Sequence, residues 1–322
     1  MGPRSITPRK EAAARMARQG RQLGHATLDL LAEDWTVPVM RELLDGSLRP
    51  SELEQRLPSA PHSGLMRRLS AMHSKRIVTR ERHHGPPPSA RYGLTEAGKQ
   101  ILDVLAAAKH WERQWGSEDR RGLGALRLIG DERTREIILG VAEGPVSASD
   151  LQGRLRTPLA RSTVRQRLAG LARRGVLARR ESDGLARYDL TDSARGLGRV
   201  AIAAARWEWE WDRPEQPVAA AEVAGVLRLF APAARLPAEL GGVCRMSVDD
   251  HPTGPDVYIA ADGRRVATLP LTPQAQPQGA CHATPQGWCD ALLLSRWSDV
   301  TFTGNAALSA ALLASVSAAL LS

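Results

Sequence analysis

Apolar positions along the chain fall into short helical stripes separated by alternating, cation-rich runs, and the whole succession occurs twice. In the stretch "LLAEDWTVPVMRELLDG", Leu30 to Gly46, apolar residues recur at helical spacing up to a glycine, a normal helix stop. "SELEQRL" reads as a second short helix opened by Ser51. After the turn "PSAP", a third helix sets Leu65, Leu69 and Met72 on one face, at i, i+4 and i+7. Its other face carries His62, Ser63, Met66 and Arg67. "RIVTRER" and "ARYGL" then alternate as strands do, around a proline-studded tip. A longer helix ending in Trp111 and Trp115 closes the pattern.

About a hundred residues later the pattern returns. Gly46 matches Gly144, "SEL" matches "SDL", Arg68-Leu69 matches Arg167-Leu168, and "RYGLT" matches "RYDLT". Trp111 and Trp115 recur as Trp207 and Trp211. In this second copy Val164, Leu168 and Leu171 form the buried stripe, with Arg161, Ser162, Arg165 and Gln166 outward. The strands "GVLARRE" and "LARYDL" meet through Asp183-Gly184, a strong hairpin turn. Differences in length fall at loop tips, so the pattern is a duplicated domain and not a solenoid.

Two short helices, an exposed polar helix and a basic hairpin predict a winged helix-turn-helix in each copy. A helix that reads DNA hides one face in a small core and offers donors to base edges, which Arg, His, Ser and Gln do. A wing needs cations to meet phosphate. Arg80, Arg82, His83, His84 and Arg91 supply them in the first copy, and Arg179, Arg180 and Arg187 in the second. The predicted architecture is mainly α with small β-wings: a basic arm over 1–24, modules over 25–116 and 122–216, and an α+β domain over 217–322. The tail's elements are a helix at "GVLRLFAP", strands at "VCRMSV" and "DVYIAADGRRVATLPL", a helix at "TPQGWCDALLLSRW", the segment "DVTFTGN", and a last helix capped by Asn305.

Charge sharpens this division. The chain carries +9 net, yet from Pro217 onward six arginines face eight acids, leaving +11 on the first 216 residues. A polyanion partner is therefore expected for the N-terminal part alone. Three cysteines, Cys244, Cys281 and Cys289, together with a polar, basic start lacking the apolar core of a signal peptide, lead to the expectation of a cytoplasmic protein. The apolar final segment is short and broken by serines, which suits a buried helix better than a membrane span. No CxxC pair supports a zinc site at Cys244, Cys281, His282 and Cys289, and no GxSxG, P-loop or HExxH is present. Asp249-Asp250-His251 reads as a polar loop; no metal, cofactor or catalytic residue is expected.

The first copy resembles an HxlR-type regulator, a branch of the MarR-like winged helices. The resemblance rests on "DLLAEDWTVPVMRELLDGSLRPSELEQRLP" and on "HHGPPPSARYGLTEAG", which is similar to that family's proline-bearing wing. The second copy lacks a Trp at the place of Trp35 and the wing prolines. HxlR-type proteins dimerise through terminal helices, which implies an intramolecular pseudo-dimer here, or a homodimer. The tail from "TPQGWCDALLLSRW" onward resembles a sterol-carrier-protein-like fold, which implies an apolar pocket. Trp111, Trp115, Trp207, Trp209 and Trp211 are candidates for packing or for an aromatic effector platform. The expected function is a transcriptional regulator, not an enzyme: a repressor on double-stranded DNA, released by a small hydrophobic or aromatic effector. A sequestering protein for small molecules and a winged-helix DNA glycosylase are the alternatives.

Overall fold

The computed structural model describes residues 22–83, 89–116, 123–156, 158–182, 184–248, 255–269 and 276–321. The basic arm up to residue 21, the first wing tip with His84, Asp183 and the Asp249-Asp250-His251 cluster lie outside the described residues. The described residues form two compact units: one from 24–130 with 203–213, the other from 131–202 with 214–321 and Gln22-Leu23.

In the first unit the expected opening helix is two helices, α1 (His25–Ala32) and α2 (Thr36–Glu42). The reason is Pro38. A continuous helix would ask its missing N–H to bond the Asp34 carbonyl and would drive its ring against that group. The chain breaks instead at Glu33–Trp35, with Trp35 in the left-handed region at φ 73°, and restarts so that Pro38 falls in a first turn. Next, α3 (Pro50–Arg56) begins one residue before the expected Ser51. Glu52, not Ser51, closes its start by accepting from Arg49 N at 2.6 Å. α4 (His62–Ser74) buries Leu65, Leu69 and Met72 as its spacing predicts. Strands β1 (Val78–His83) and β2 (Ser89–Leu94) pair antiparallel, and Leu48 adds a bridge to Tyr92 through two 2.8 Å backbone bonds. Thr95 locks the hairpin to α5 (Glu96–Gln100): its hydroxyl donates to Arg76 O at 2.6 Å and accepts from Gly98 N at 2.9 Å. Gly98 has to be glycine, because a Cβ there would run into the Ile77 carbonyl. α6 (Leu102–Trp115) and α7 (Gly124–Gly130) complete the unit.

The second unit repeats this order with α8 (Glu132–Ala142), β3 (Val146–Ser147), α9 (Ala148–Arg154), α10 (Arg161–Arg173), β4 (Leu177–Ser182) and β5 (Leu185–Leu190). Val146 bridges Tyr188 as Leu48 bridges Tyr92. Thr191 donates to Gly175 O at 2.7 Å and accepts from Ala194 N, as Thr95 does at the matching place. α11 (Asp192–Trp211) leaves this unit after Ile202. The tail then supplies α12 (Ala220–Phe230), a 3-10 turn at Ala231–Ala233, and strands β6 (Gly242–Val248), β7 (Asp256–Asp262), β8 (Arg265–Leu269), β9 (Gly279–Ala283) and β10 (Thr301–Gly304). Sheet order is β10-β9-β6-β7-β8, with β6 and β9 parallel. α12, α13 (Pro285–Leu294) and α14 (Ala306–Leu321) pack against the sheet, whose buried side chains include Met246, Val257, Ile259 and Cys281. Asn305 caps α14, as its place in the sequence predicts, accepting from Leu308 N at 3.1 Å.

Packing divides the chain differently from boundaries at 122 and 217. α7 lies against α1 and α6 of the first unit, with Ala125 N donating to the Glu112 carboxylate at 3.1 Å. The tail does not stand apart from the second module. α12 packs on α8, so tightly that a Cβ at Gly225 would approach Leu139 to 3.0 Å, and Gly198 of α11 faces Phe230.

Candidate nucleic-acid interface

Two helices present polar faces above apolar stripes. On α4, His62, Ser63 and Arg67 are exposed and Met66 is half-buried; on α10, Arg161, Ser162, Arg165 and Gln166 are all exposed. Among the described residues, no hydrogen bond or ion pair engages the side chains of Arg67, Arg161 or Arg165. His62, by contrast, meets the Glu54 carboxylate on α3 through Nδ1.

Each helix is also tied down from its inward side by an arginine that sequence reasoning left without a role. Arg68 is 5% exposed and donates to Glu33, in the turn after α1. Arg167 donates to Asp131, the residue before α8. Burial pushes the Asp131 carboxyl up, but hydrogen bonds from Thr134 and Arg167, with the Arg167 charge, outweigh it and hold it below the usual carboxylate range. The available signal was the recurrence of Arg68-Leu69 as Arg167-Leu168, each roughly 35 residues after an acid.

The hairpins carry their cations less uniformly than expected. Arg80 and Arg82 are exposed on β1, Arg80 lying 5.9 Å from the Tyr92 ring centre. His83 ends β1. On β4, Arg179 and Arg180 are exposed, with Arg179 paired to Glu181 at 3.0 Å; Arg187 is half-buried on β5. Arg91 is engaged within its own module: its guanidinium donates to Ser47 O at 2.5 Å and Ser47 Oγ at 3.2 Å and lies 3.8 Å from Glu52.

The family described as HxlR-like helix-turn-helix matches residues 30–120. An uncharacterized HTH-type transcriptional regulator of Methanothermobacter thermautotrophicus is 36% identical over 83 residues, 26% of this chain and 63% of that protein. The uncharacterized HTH-type transcriptional regulator YvaP of Bacillus subtilis is 31% identical over 88 residues, 27% of this chain and 82% of YvaP. This chain belongs to the HxlR-like helix-turn-helix family. Among solved structures it is similar to the reduced form of the regulator YodB from B. subtilis, at 26% identity, TM-score 0.27, covering 29% of this chain and 90% of that one. It is also similar to the reduced redox regulator HypR, at 30% identity, TM-score 0.26, covering 27% and 87%. The relatives are regulators, and no enzymatic family is among them.

The remaining candidates are the tryptophans, Trp111 and Trp115 inside the HxlR-like region and Trp207, Trp209 and Trp211 beyond it, and the cysteines of the tail. Trp111, Trp207 and Trp209 are buried, Trp115 is half-buried, and Trp211 is exposed. Trp207 Nε1 donates to Ala97 O at 2.7 Å and Trp211 Nε1 to Gln100 at 2.9 Å. The rings of Trp111 and Trp115 meet in a tilted pair, centres 6.2 Å apart, and Arg213 sits 4.5 Å from the centre of the Trp209 ring. Trp207 and Trp211 therefore face one side of α11 as the spacing predicts, but the rings are largely committed to packing. All three cysteines are buried; Cys281 hydrogen-bonds to Cys244 and draws that thiol down to about 7, against burial. Among the described residues no group of three or more His, Cys, Asp or Glu is placed to hold a metal ion, and no helix is long and apolar enough to cross a membrane.

Proposed function

We propose that this chain is a DNA-binding transcriptional regulator of the cytoplasm, a repressor that a small hydrophobic or aromatic effector releases from duplex DNA. One observation carries the reading: α4 and α10 both present donor-rich outward faces, with Arg67, Arg161 and Arg165 unengaged among the described residues, beside hairpins bearing exposed arginines. In this reading the chain is a tandem duplication. The matched ties Thr95 and Thr191, bridges Leu48–Tyr92 and Val146–Tyr188, and pairs Arg68–Glu33 and Arg167–Asp131 support it. The helices offer donors to base edges and the hairpins meet phosphate. Two modules in one chain supply the pair of reading helices that a dimer supplies from two subunits, making the chain a pseudo-dimer.

The sterol-carrier-like tail is read as the sensor. Support comes from the apolar sheet face beneath α12, α13 and α14, and from the packing of α12 on α8 of the second module. An aromatic effector would meet the accessible rings Trp115 and Trp211, ahead of the buried Trp111, Trp207 and Trp209. It releases DNA only if it binds the DNA-free form better than the bound form. The DNA-binding reading is tested by mobility shift with the full-length chain across roughly 50 to 200 mM salt. Expected is a complex that weakens steeply over that range through counterion release. Absence of any complex with duplex DNA at the low-salt end would overturn it.

A further inference from the structure

We infer that the two reading helices recognise different sequences, so that one chain binds a non-palindromic duplex whose second half-site makes more guanine contacts. The inference rests on the DNA-binding reading above and adds to it which bases each helix takes.

The two helices are held in the same rotational setting. Leu65, Leu69 and Met72 are buried on α4 and Val164, Leu168 and Leu171 on α10, at matching positions. The inward arginine that follows, Arg68 or Arg167, meets an acid beside the first helix of its own module. Positions 62 and 161, 63 and 162, 66 and 165, and 67 and 166 therefore hold equivalent places, each on the outward face of its own helix. Their identities differ at three of the four: His62 against Arg161, Met66 against Arg165, Arg67 against Gln166, with serine shared at Ser63 and Ser162.

Those differences change what each helix can read. Arginine forks onto the O6 and N7 acceptors of guanine, glutamine onto N6 and N7 of adenine, and an apolar side chain packs on the thymine methyl. α10 thus offers two guanine-reading arginines, Arg161 and Arg165, with Gln166 for adenine. α4 offers one arginine, Arg67, with Met66 for thymine.

The scaffold helices diverge in step with the reading helices. In the first module the Glu54 carboxylate holds His62. At the matching place the second module has Gln152, whose amide donates to Leu159 O at 2.7 Å, so no carboxylate stands there beside Arg161. A carboxylate at the head of α4 repels the acceptor pair of guanine and tolerates the amino group of cytosine. Glu54 is accordingly a specificity-determining residue of the first module. Two identical helices related by symmetry would select an inverted repeat; these two are not identical where bases are read.

The test is selection from a random duplex pool with the full-length chain, followed by sequencing. Expected is one motif with two unlike parts. Arg165→Ala should weaken binding to the selected site about tenfold or more, with a much smaller effect on unrelated duplex. The triple variant Arg161→His, Arg165→Met, Gln166→Arg transplants the first face onto α10 at exposed positions. It should convert the second part of the motif towards the first, with thermal unfolding unchanged. Independently, Glu54→Gln should relax selection in the first part only. A motif whose halves repeat one sequence, or a selected motif that the triple variant leaves unaltered, would overturn the inference, as would binding of all duplexes alike. Failure to bind duplex at all would instead remove the DNA-binding reading on which it rests.

Discussion

The guanidinium of Arg68 reaches from the inward face of α4 to the carboxylate of Glu33, joining that helix to the break between α1 and α2. Its counterpart, Arg167 with Asp131, joins α10 to the start of α8. The two pairs differ in burial. The Arg68 side chain is 6% exposed, whereas Arg167 and Asp131 are each 36% exposed.

That difference sets an order of effects. Breaking a buried pair is strongly destabilising, but Glu33 is half in water and loses little when left alone. Arg68→Ala should therefore destabilise by about 2–3 kcal/mol, most of it lost packing and donor contacts. Arg167→Ala should cost about 1 kcal/mol, the range of a partly exposed pair. Denaturant unfolding of the two variants checks this, and equal losses would contradict the assigned burial.

A buried acid in the second unit makes its stability depend on pH. Glu222 on α12 faces Arg135 and Glu136 of α8, Arg156 after α9, and the Leu23 N–H. Burial pushes its carboxyl from 4.5 up to about 7, against the pull of both arginines. Below the unfolded value the group is neutral in both states. Between that value and about 7 the folded protein keeps a proton that the unfolded chain has released, so stability falls as pH rises through this window. The full loss above the window is about 3 kcal/mol. Glu222→Gln should match the wild type near pH 4 and be the more stable near pH 8. Urea unfolding at both pH values tests it; parallel pH profiles would show that Glu222 stays ionised with its arginines.

Thr95 and Thr191 hold equivalent places, each tying a hairpin to the helix that follows. Thr95→Val and Thr191→Val should each cost about 1 kcal/mol, the typical worth of a capping hydroxyl. Thermal melts of the two variants measure this. A loss at one site only would mean that the modules share an outline without sharing its joints.

What the sequence made legible was local. Spacing located the buried stripes of α4 and α10, because a helix core needs only i, i+4 and i+7, and alternation located β1, β2, β4 and β5. What it concealed depended on distant partners. Nothing near Arg91 announces that Ser47 and Glu52 take its donors, so it read as a wing cation. Strand β9, "GACHA", lacks β-branched residues and is a strand because β6 and β10 pair with it on either side. The break at Trp35 was readable from Pro38 but was outweighed by the helical spacing around it. The union of tail and second module rests on Gly225 against Leu139, residues that no periodicity connects.

The first hairpin holds a sharp test of which cations meet phosphate. Arg82 and Arg91 belong to one small antiparallel pair, in which Arg82 faces Ala90 and Arg91 faces Glu81 across the strands. Arg82 is exposed, while Arg91 spends its donors on Ser47 and lies beside Glu52. A cation that neutralises a phosphate releases about one counterion, so its loss lowers the slope of log affinity against log salt by about one. Arg82→Ala should show that drop and weaken all duplexes alike, with little change in stability. Arg91→Ala should leave the slope unchanged and instead reduce stability by about 1–2 kcal/mol, because the Ser47 carbonyl loses its donor and the hairpin loses its tie to α3. Salt-titrated binding and urea unfolding of both variants decide it. An equal drop in slope for Arg91→Ala would mean that this guanidinium leaves Ser47 when DNA arrives.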